Sequence, residues 1–246
     1  MDLETALQGM TTMNEYLNIC VSEDILDVQA LQTDGAYKKY PLLKQFVGHE
    51  AEISQPQYIS DGKEGVVFSF RHENMDLCLK LFKTWEFPKA LFPVQPRSAK
   101  LLGPFSRECR AFARLCDLGL NGTWAVRCHG WIYLTDDQLA CLSTACKRLR
   151  LVPGLNVSRW AIVKDFVPSP PRKTDLPQIR AKFEIAKQAL ILPGDVEARN
   201  YRASFFVDLG STSTYPLPKP WWSKFEFERF FRLCPPKVGE RWSIEP

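Results

Sequence analysis

Apolar and polar positions change rhythm several times along the chain, and each change marks an element. The runs YISDGKEGVVFSF (58–70) and MDLCLKLFK (75–83) are short and β-rich, with the polar RHEN between them. That pattern predicts a hairpin. SRECRAFARLCDLG (106–119) predicts a helix with Ser106 as N-cap and Gly119 just past its end, and puts Glu108, Phe112 and Leu115 on one face. AVRCHGWIYL (125–134) and WAIVKDFV (160–167) predict two further strands, and the polar stretch 135–158 between them reads as either helical or loose. QIRAKFEIAKQALIL (178–192) carries Ile179, Phe183, Ala186 and Leu190 at helical spacing.

The connecting segments are equally patterned. Residues 1–45 read as a helical, loosely organised leader, with Leu17, Val21, Leu26 and Leu31 loosely periodic and Gly35 as a stop. Pro88, Pro93, Pro96 and Pro104 make 84–105 a long loop, and Pro168, Pro170 and Pro171 make VPSPPRKTDLP a linker. In KPWWSKFEFERFFRL (219–233), Ser223 and Glu226 have capping-box spacing, so a helix should begin near Lys224. Its Phe227, Phe230 and Phe231, with Trp221 and Trp222, form an aromatic cluster that either closes the core or anchors a partner. The order of elements predicts an α+β protein of two lobes joined near 165–175: a leader (1–45), a strand-rich unit (46–167) and a smaller unit (168–246).

Composition narrows the function classes. The chain has 246 residues, 45% apolar and 24% charged, which is the composition of a globular protein with a substantial core. A net charge of +4 suits local contact with phosphates but is too small for a nucleic-acid binder. The eight cysteines include no C-x-x-C pair, and with only three histidines a zinc site is not expected. MDLETALQGMTTMNEYL lacks the basic-then-apolar order of a signal peptide, and no apolar run reaches a membrane span. The expectation is a nuclear or cytoplasmic protein with reduced thiols that is not secreted and has no membrane or direct nucleic-acid partner.

Several residues carry candidate chemistry. Ser60, Gly62, Gly65 and Val67 form a glycine-rich turn between strands, which can close backbone N–H groups over phosphates or can be simply a turn. Strand alternation puts Cys78, Lys80 and Phe82 on one face, and a lysine among apolar neighbours needs either an anion or a path to water. Glu108 lies on the apolar face of its helix; it asks for a cation, with Lys80 the candidate, or serves the helix dipole. In ILPGDVEARNYRASFFVDLGS (191–211), Asp195, Asn200 and Asp208 are either ordinary polar residues near a strand or the metal- and phosphate-handling part of a nucleotide site. The succession of glycine-rich hairpin, strand lysine, helix glutamate, hinge, D-x-x-x-x-N and Asp-x-Gly follows the protein-kinase layout.

The stretches FVGHE (46–50), EGVVFSF (64–70), LCLKLFK (77–83), PFSRECRAFARL (104–115), VRCHGWIYL (126–134), AIVKDFV (161–167) and GDVEARNYR…FFVDLGS (194–211) carry a more specific likeness. Over roughly residues 42–217 the chain resembles a fungal protein-kinase-like family, the Fta-two type subunit of the Sim-four kinetochore complex. The resemblance implies a two-lobed protein-kinase-like fold with an abbreviated C-lobe, whose small lobe has about five antiparallel strands and one packed helix. It implies ATP and Mg²⁺ as cofactors and kinetochore subunits as protein partners, at the centromere. Gly62 and Gly65 would lie over the phosphates, with Val67 and Cys78 lining the adenine pocket. Lys80, held by Glu108, would bind the α/β-phosphates, and Lys164, Asp165 and Phe166 would form the hinge, offering backbone groups to adenine. Asp195 would accept or orient the proton of an attacking hydroxyl, and Asn200 and Asp208 would hold Mg²⁺.

The chain also departs from the kinase pattern. Ser60 stands for the first loop glycine, and Pro193-Gly194 precede Asp195 where typical protein kinases have His-Arg. Only 36 residues follow Gly210, without an A-P-E sequence. Two functions are therefore carried forward: a nucleotide-binding phosphotransferase using Asp195, and a pseudokinase scaffold acting through protein contacts.

Overall fold

The computed structural model describes residues 15–29, 36–85, 100–146, 157–216, 223–240 and 242. Its frame is a seven-stranded sheet in the order β1-β2-β6-β7-β5-β4-β3. The strands are β1 (Val21–Ile25), β2 (Leu43–Gln45), β3 (Ser54–Asp61), β4 (Gly65–His72), β5 (Met75–Lys83), β6 (Cys128–Tyr133) and β7 (Val157–Asp165). Five of them, β3, β4, β5, β7 and β6, pair antiparallel, while β1 and β2 join the β6 edge in parallel. The fold class is α+β.

The two parallel strands correct the expectation of a helical leader. Cys20, Val21, Leu26, Pro41 and Leu43 are the buried residues of its described part, too few and too unevenly spaced for the wide apolar stripe of a surface helix. Val21 instead finds its register partner in Leu43, and Trp131 donates its indole N–H to the Ser22 carbonyl at 2.8 Å. Leu31 and Gly35 lie outside the described residues, as do Trp221 and Trp222.

The helix predicted from Ser106 begins earlier. Helix α1 spans Pro104–Asp117 with Gly103 as N-cap and Pro104 in its first turn, where a missing N–H costs nothing. Ser106 is buried, and its hydroxyl accepts from the Cys20 thiol rather than capping the helix. Gly119, at φ 68°, follows the end of the helix as expected. Within the undecided stretch, helix α2 covers Asp136–Ala145, with Thr135 and Gln138 in a capping box. The Gln138 amide also donates to the His49 and Ala51 carbonyls, tying α2 to the loop before β3.

The sheet is covered on both faces. One core packs Phe68, Phe70, Leu77, Leu79, Leu81 and Val163 beneath Leu142 of α2. The other runs from Phe82, Trp160 and Ile162 through α1 to helix α3 (Leu176–Gln188) and helix α4 (Lys224–Leu233). Ser223 caps α4 as predicted by accepting from the Glu226 amide, and Phe227 and Phe231 close this core while Phe225 stays exposed. Strands β8 (Ile191–Leu192), β9 (Tyr201–Arg202), β10 (Phe205–Phe206) and β11 (Ser213–Thr214) form two small ladders, β9 with β10 and β8 with β11. Tyr201 and Phe206 are both buried, and Phe206 stacks on Trp124 at 5.2 Å. Backbone bonds from Val126 to Phe206 and from Phe206 to Trp124 stitch the hairpin under the sheet. Among the described residues no helix is long and apolar enough to cross a membrane, and all eight cysteines are free thiols.

Candidate functional site

Strand alternation turns Cys78, Lys80 and Phe82 of β5 toward α1, and the β5–β7 register sets Cys78 opposite Lys164 and Lys80 opposite Ile162. Two lysines therefore enter the same buried layer. Helix α1 answers them with Glu108, which is fully shielded from solvent. Lys80 Nζ donates to Glu108 Oε2 at 2.8 Å, and Lys164 Nζ donates to Glu108 Oε1 at 2.7 Å. Lys164 also donates to the Val207 carbonyl at 2.8 Å, and Lys80 donates to Asp208 Oδ1 at 2.7 Å. Four segments distant in sequence are thus joined by two ammoniums and two carboxylates, and each charge is paired as burial requires.

The tight spacing of 195–208 delivers Asp208 to this place. Arg202 pairs with Phe205 across a two-residue turn in which Ala203 adopts φ 44°, so the chain reverses at once. Asp195 lies on the loop after β8, and Asn200 ends a single 3-10 turn (Ala198–Asn200). The Asn200 amide nitrogen donates to the Asp195 carbonyl at 2.9 Å, which leaves the amide oxygen as the remaining acceptor. Asp195 itself is ion-paired with Arg199 at 2.7 Å. Asp208 also accepts from the Gly210 amide at 3.0 Å.

A cleft of about 510 Å³ opens over this network. Gly62, Gly65, Val67, Cys78, Lys80, Asp165, Phe166, Asp195, Asn200 and Asp208 all line it, while Glu108 sits behind Lys80. The two glycines differ in what they provide. A side chain at Gly62 would meet only open space, with the Gly65 carbonyl 3.8 Å away. A Cβ at Gly65 would come within 2.5 Å of the Leu81 carbonyl, so Gly65 is required by the approach of β4 to β5.

At the expected hinge two backbone donors are already engaged within the protein. The Asp165 N–H donates to the Arg127 carbonyl at 2.9 Å and the Phe166 N–H to Asp76 at 3.3 Å, so neither amide is free for a base. The Asp165 side chain turns to His129, accepting from Nε2 at 2.6 Å. Lys164 contributes a buried side chain to the ion network, where only its backbone had been expected to serve. The signal for it was present: a lysine inside the apolar run AIVKDFV poses the same desolvation problem as Lys80. Glu64, in the turn between β3 and β4, was also missed; it lies 3.7 Å from Lys80 and lines the cleft.

Charge and burial compete at each group. Burial alone would depress the Lys80 pKa, but Glu108, Asp208 and Glu64 together raise it above the ordinary lysine value. Burial disfavours the Asp208 carboxylate, yet Lys80, Lys164 and the Gly210 amide hold its pKa below the usual value. Glu64 goes the other way: burial, helped by Asp208 and Glu108, raises its pKa against the pull of Lys80 and Arg107. Among the described residues no cluster of three His, Cys, Asp or Glu side chains forms a ready metal cage. Oxygen ligands for a hard cation here would come from Asp208 and the Asn200 amide.

A search of curated proteins returns no match. The family model described as "Kinetochore Sim4 complex subunit FTA2" matches residues 28–213. That span takes in the whole cleft, the ion network and α1 to α3, and the chain belongs to the Sim4 kinetochore complex subunit FTA2 family.

Proposed function

We propose that this chain is a scaffold subunit of a kinetochore complex, working in the nucleus through protein–protein contacts, on a two-lobed kinase-like frame whose cleft binds a nucleotide. Family membership supports the scaffold role. The single observation supporting the ligand is that one cleft gathers the open Gly62 turn, the buried Lys80–Glu108 pair, Asn200 and Asp208. Lys80 supplies a fixed cation for phosphate oxygens, Gly62 leaves backbone room above them, and Val67 and Cys78 give apolar walls to a base.

The donor set fits Mg²⁺, because Asp208 is held ionised and the Asn200 amide is oriented by the Asp195 carbonyl. When bound, the metal would neutralise charge on the phosphates. Phosphotransfer is the weaker reading. Family membership speaks for a scaffold, and Pro193-Gly194 stand before Asp195 where typical protein kinases have His-Arg.

Thermal unfolding with and without Mg-ATP tests the reading. Ligand at about 100 times its Kd should add about 2.7 kcal/mol of stability. Lys80→Met should abolish the shift while the protein stays folded. The purified protein should transfer no phosphate to itself or to generic substrates, and Asp195→Asn should leave chromosome segregation intact. Absence of any shift with Mg-ATP removes the nucleotide, and a segregation defect in Asp195→Asn restores the enzyme reading.

A further inference from the structure

Glu64 has no evident structural reason to sit where it does. It belongs to the exposed glycine-rich turn, yet its side chain turns inward over the ion network. Oε2 is shielded from solvent and has no hydrogen-bond partner, while Lys80 Nζ lies 3.7 Å away, beyond a direct bond. The same oxygen lies so close to Gly210 that any side chain there would overlap it. Gly210 follows Asp208 by two residues, so the turn from the upper sheet touches the segment below the cleft through this one carboxylate. A buried, unpaired acceptor is costly. Burial correspondingly raises the Glu64 pKa, and the neighbouring Asp208 and Glu108 add to it.

We infer that Glu64 is an intramolecular occupant of the phosphate position beside Lys80, which an incoming phosphate must displace. The inference rests on the nucleotide reading of the cleft and adds what holds its phosphate position before the ligand arrives. A carboxylate and a phosphate compete for one ammonium, because both are anions and two like charges in a shared site repel. Displacement asks only the side chain to swing: the Glu64 carbonyl stays bonded to the Lys83 N–H at 2.9 Å, while Oε2 is held by no hydrogen bond. Lifting Glu64 frees one side of Lys80 for a phosphate, while Glu108 holds it from behind and Asp208 holds it within the cleft. Ligand affinity is then the intrinsic affinity scaled by the fraction of molecules with Glu64 displaced.

The test is calorimetric titration of the full chain and of Glu64→Ala and Glu64→Gln with Mg-ATP, inorganic pyrophosphate and adenosine. Glu64→Ala should tighten ATP and pyrophosphate about tenfold or more and leave adenosine unchanged. Glu64→Gln, which keeps the shape without the charge, should show a smaller gain in the same two ligands. If the unaltered chain binds ATP and both variants bind it equally or more weakly, the occupant inference fails and the nucleotide reading stands. If none of the three proteins binds ATP, pyrophosphate or adenosine, both fail together. An equal gain for adenosine also overturns the inference, since it would mean that Glu64 blocks the cleft by bulk.

Discussion

Glu108 offers the sharpest test of the ion network. It has no exposure to solvent and accepts from Lys80 at 2.8 Å and from Lys164 at 2.7 Å, one on each oxygen. Glu108→Gln keeps the volume but removes the charge. Lys80 would retain Asp208 at 2.7 Å, whereas Lys164, 3% exposed, would keep the Val207 carbonyl and at most a neutral amide oxygen, with no counter-charge in contact. Stranding a buried charge in this way costs about 3–5 kcal/mol. Lys164→Met should be milder, about 1–2 kcal/mol, because Glu108 still has Lys80 and an apolar stem replaces one of similar length.

The decisive protein is the double variant. If the cost of Glu108→Gln lies in the stranded Lys164 ammonium, adding Lys164→Met should recover stability, with a coupling of about 1.5 kcal/mol or more. Urea denaturation followed by far-UV circular dichroism reads this as the midpoint at constant slope. A loss below about 1 kcal/mol for Glu108→Gln, or a double variant no more stable than the single, would refute the reasoning.

Two further predictions concern packing and pH. Gly65→Ala should destabilise by about 1–3 kcal/mol because its Cβ meets the β5 backbone, while Gly62→Ala should change the urea midpoint by less than about 0.5 kcal/mol; equal effects would contradict the distinction between them. Burial raises the thiol pKa of Cys109 and Cys128 and pushes Cys116 up to about 12, whereas unfolded thiols ionise near pH 8.5. The stability held by these protonated thiols is complete below about pH 8.5 and is lost as pH rises toward their folded values, each by up to about 1.4 kcal/mol per pH unit. Lys182, brought down to about 8 by burial, works oppositely between pH 8 and 10.5, but it stands against these three thiols and those of Cys78 and Cys234, which burial also raises. The urea midpoint under reducing conditions should therefore fall above pH 8.5, and a flat profile to pH 10 would contradict the burial of the thiols.

What could be read from the sequence followed from local periodicity. Alternation in LCLKLFK and four-residue spacing around Glu108 each put a charge on an apolar face, and the structure joins the two at 2.8 Å. The short interval between Asn200 and Asp208 required a tight reversal, which the β9–β10 ladder supplies. What escaped depends on contacts distant in sequence. Strand β1 has few buried residues of its own and is defined by Leu43 and the Trp131 indole. Ser106 has the chemistry of an N-cap, but Pro104 begins the helix a half-turn earlier and Cys20 claims the hydroxyl. Glu64 looks like an ordinary turn residue until Gly210, nearly 150 positions later, is brought against it.

Helix α1 carries the ion network of the cleft on one side and a set of backbone-carbonyl contacts further along. It is buried along almost its whole length and carries Glu108 on the face toward the cleft. A turn and a half further along, Arg114 donates to the carbonyls of Ala189, Lys38 and Tyr215, and its guanidinium lies 4.0 Å from the Tyr37 ring centroid. Arg110 donates to the Pro216 carbonyl at 2.6 Å. These bonds hold the turn between α3 and β8, the stretch before β2 and the turn after β11 to one rigid rod. A rod so anchored cannot shift at Glu108 without moving or breaking its carbonyl contacts at the far end, because buried guanidinium bonds are costly to leave unmade. Under the proposed reading, exchange of Glu64 for a phosphate at Lys80 changes the charge facing Glu108. Tyr37, which lies against the Arg114 guanidinium and is 45% exposed, marks where a shift of the rod would reach solvent.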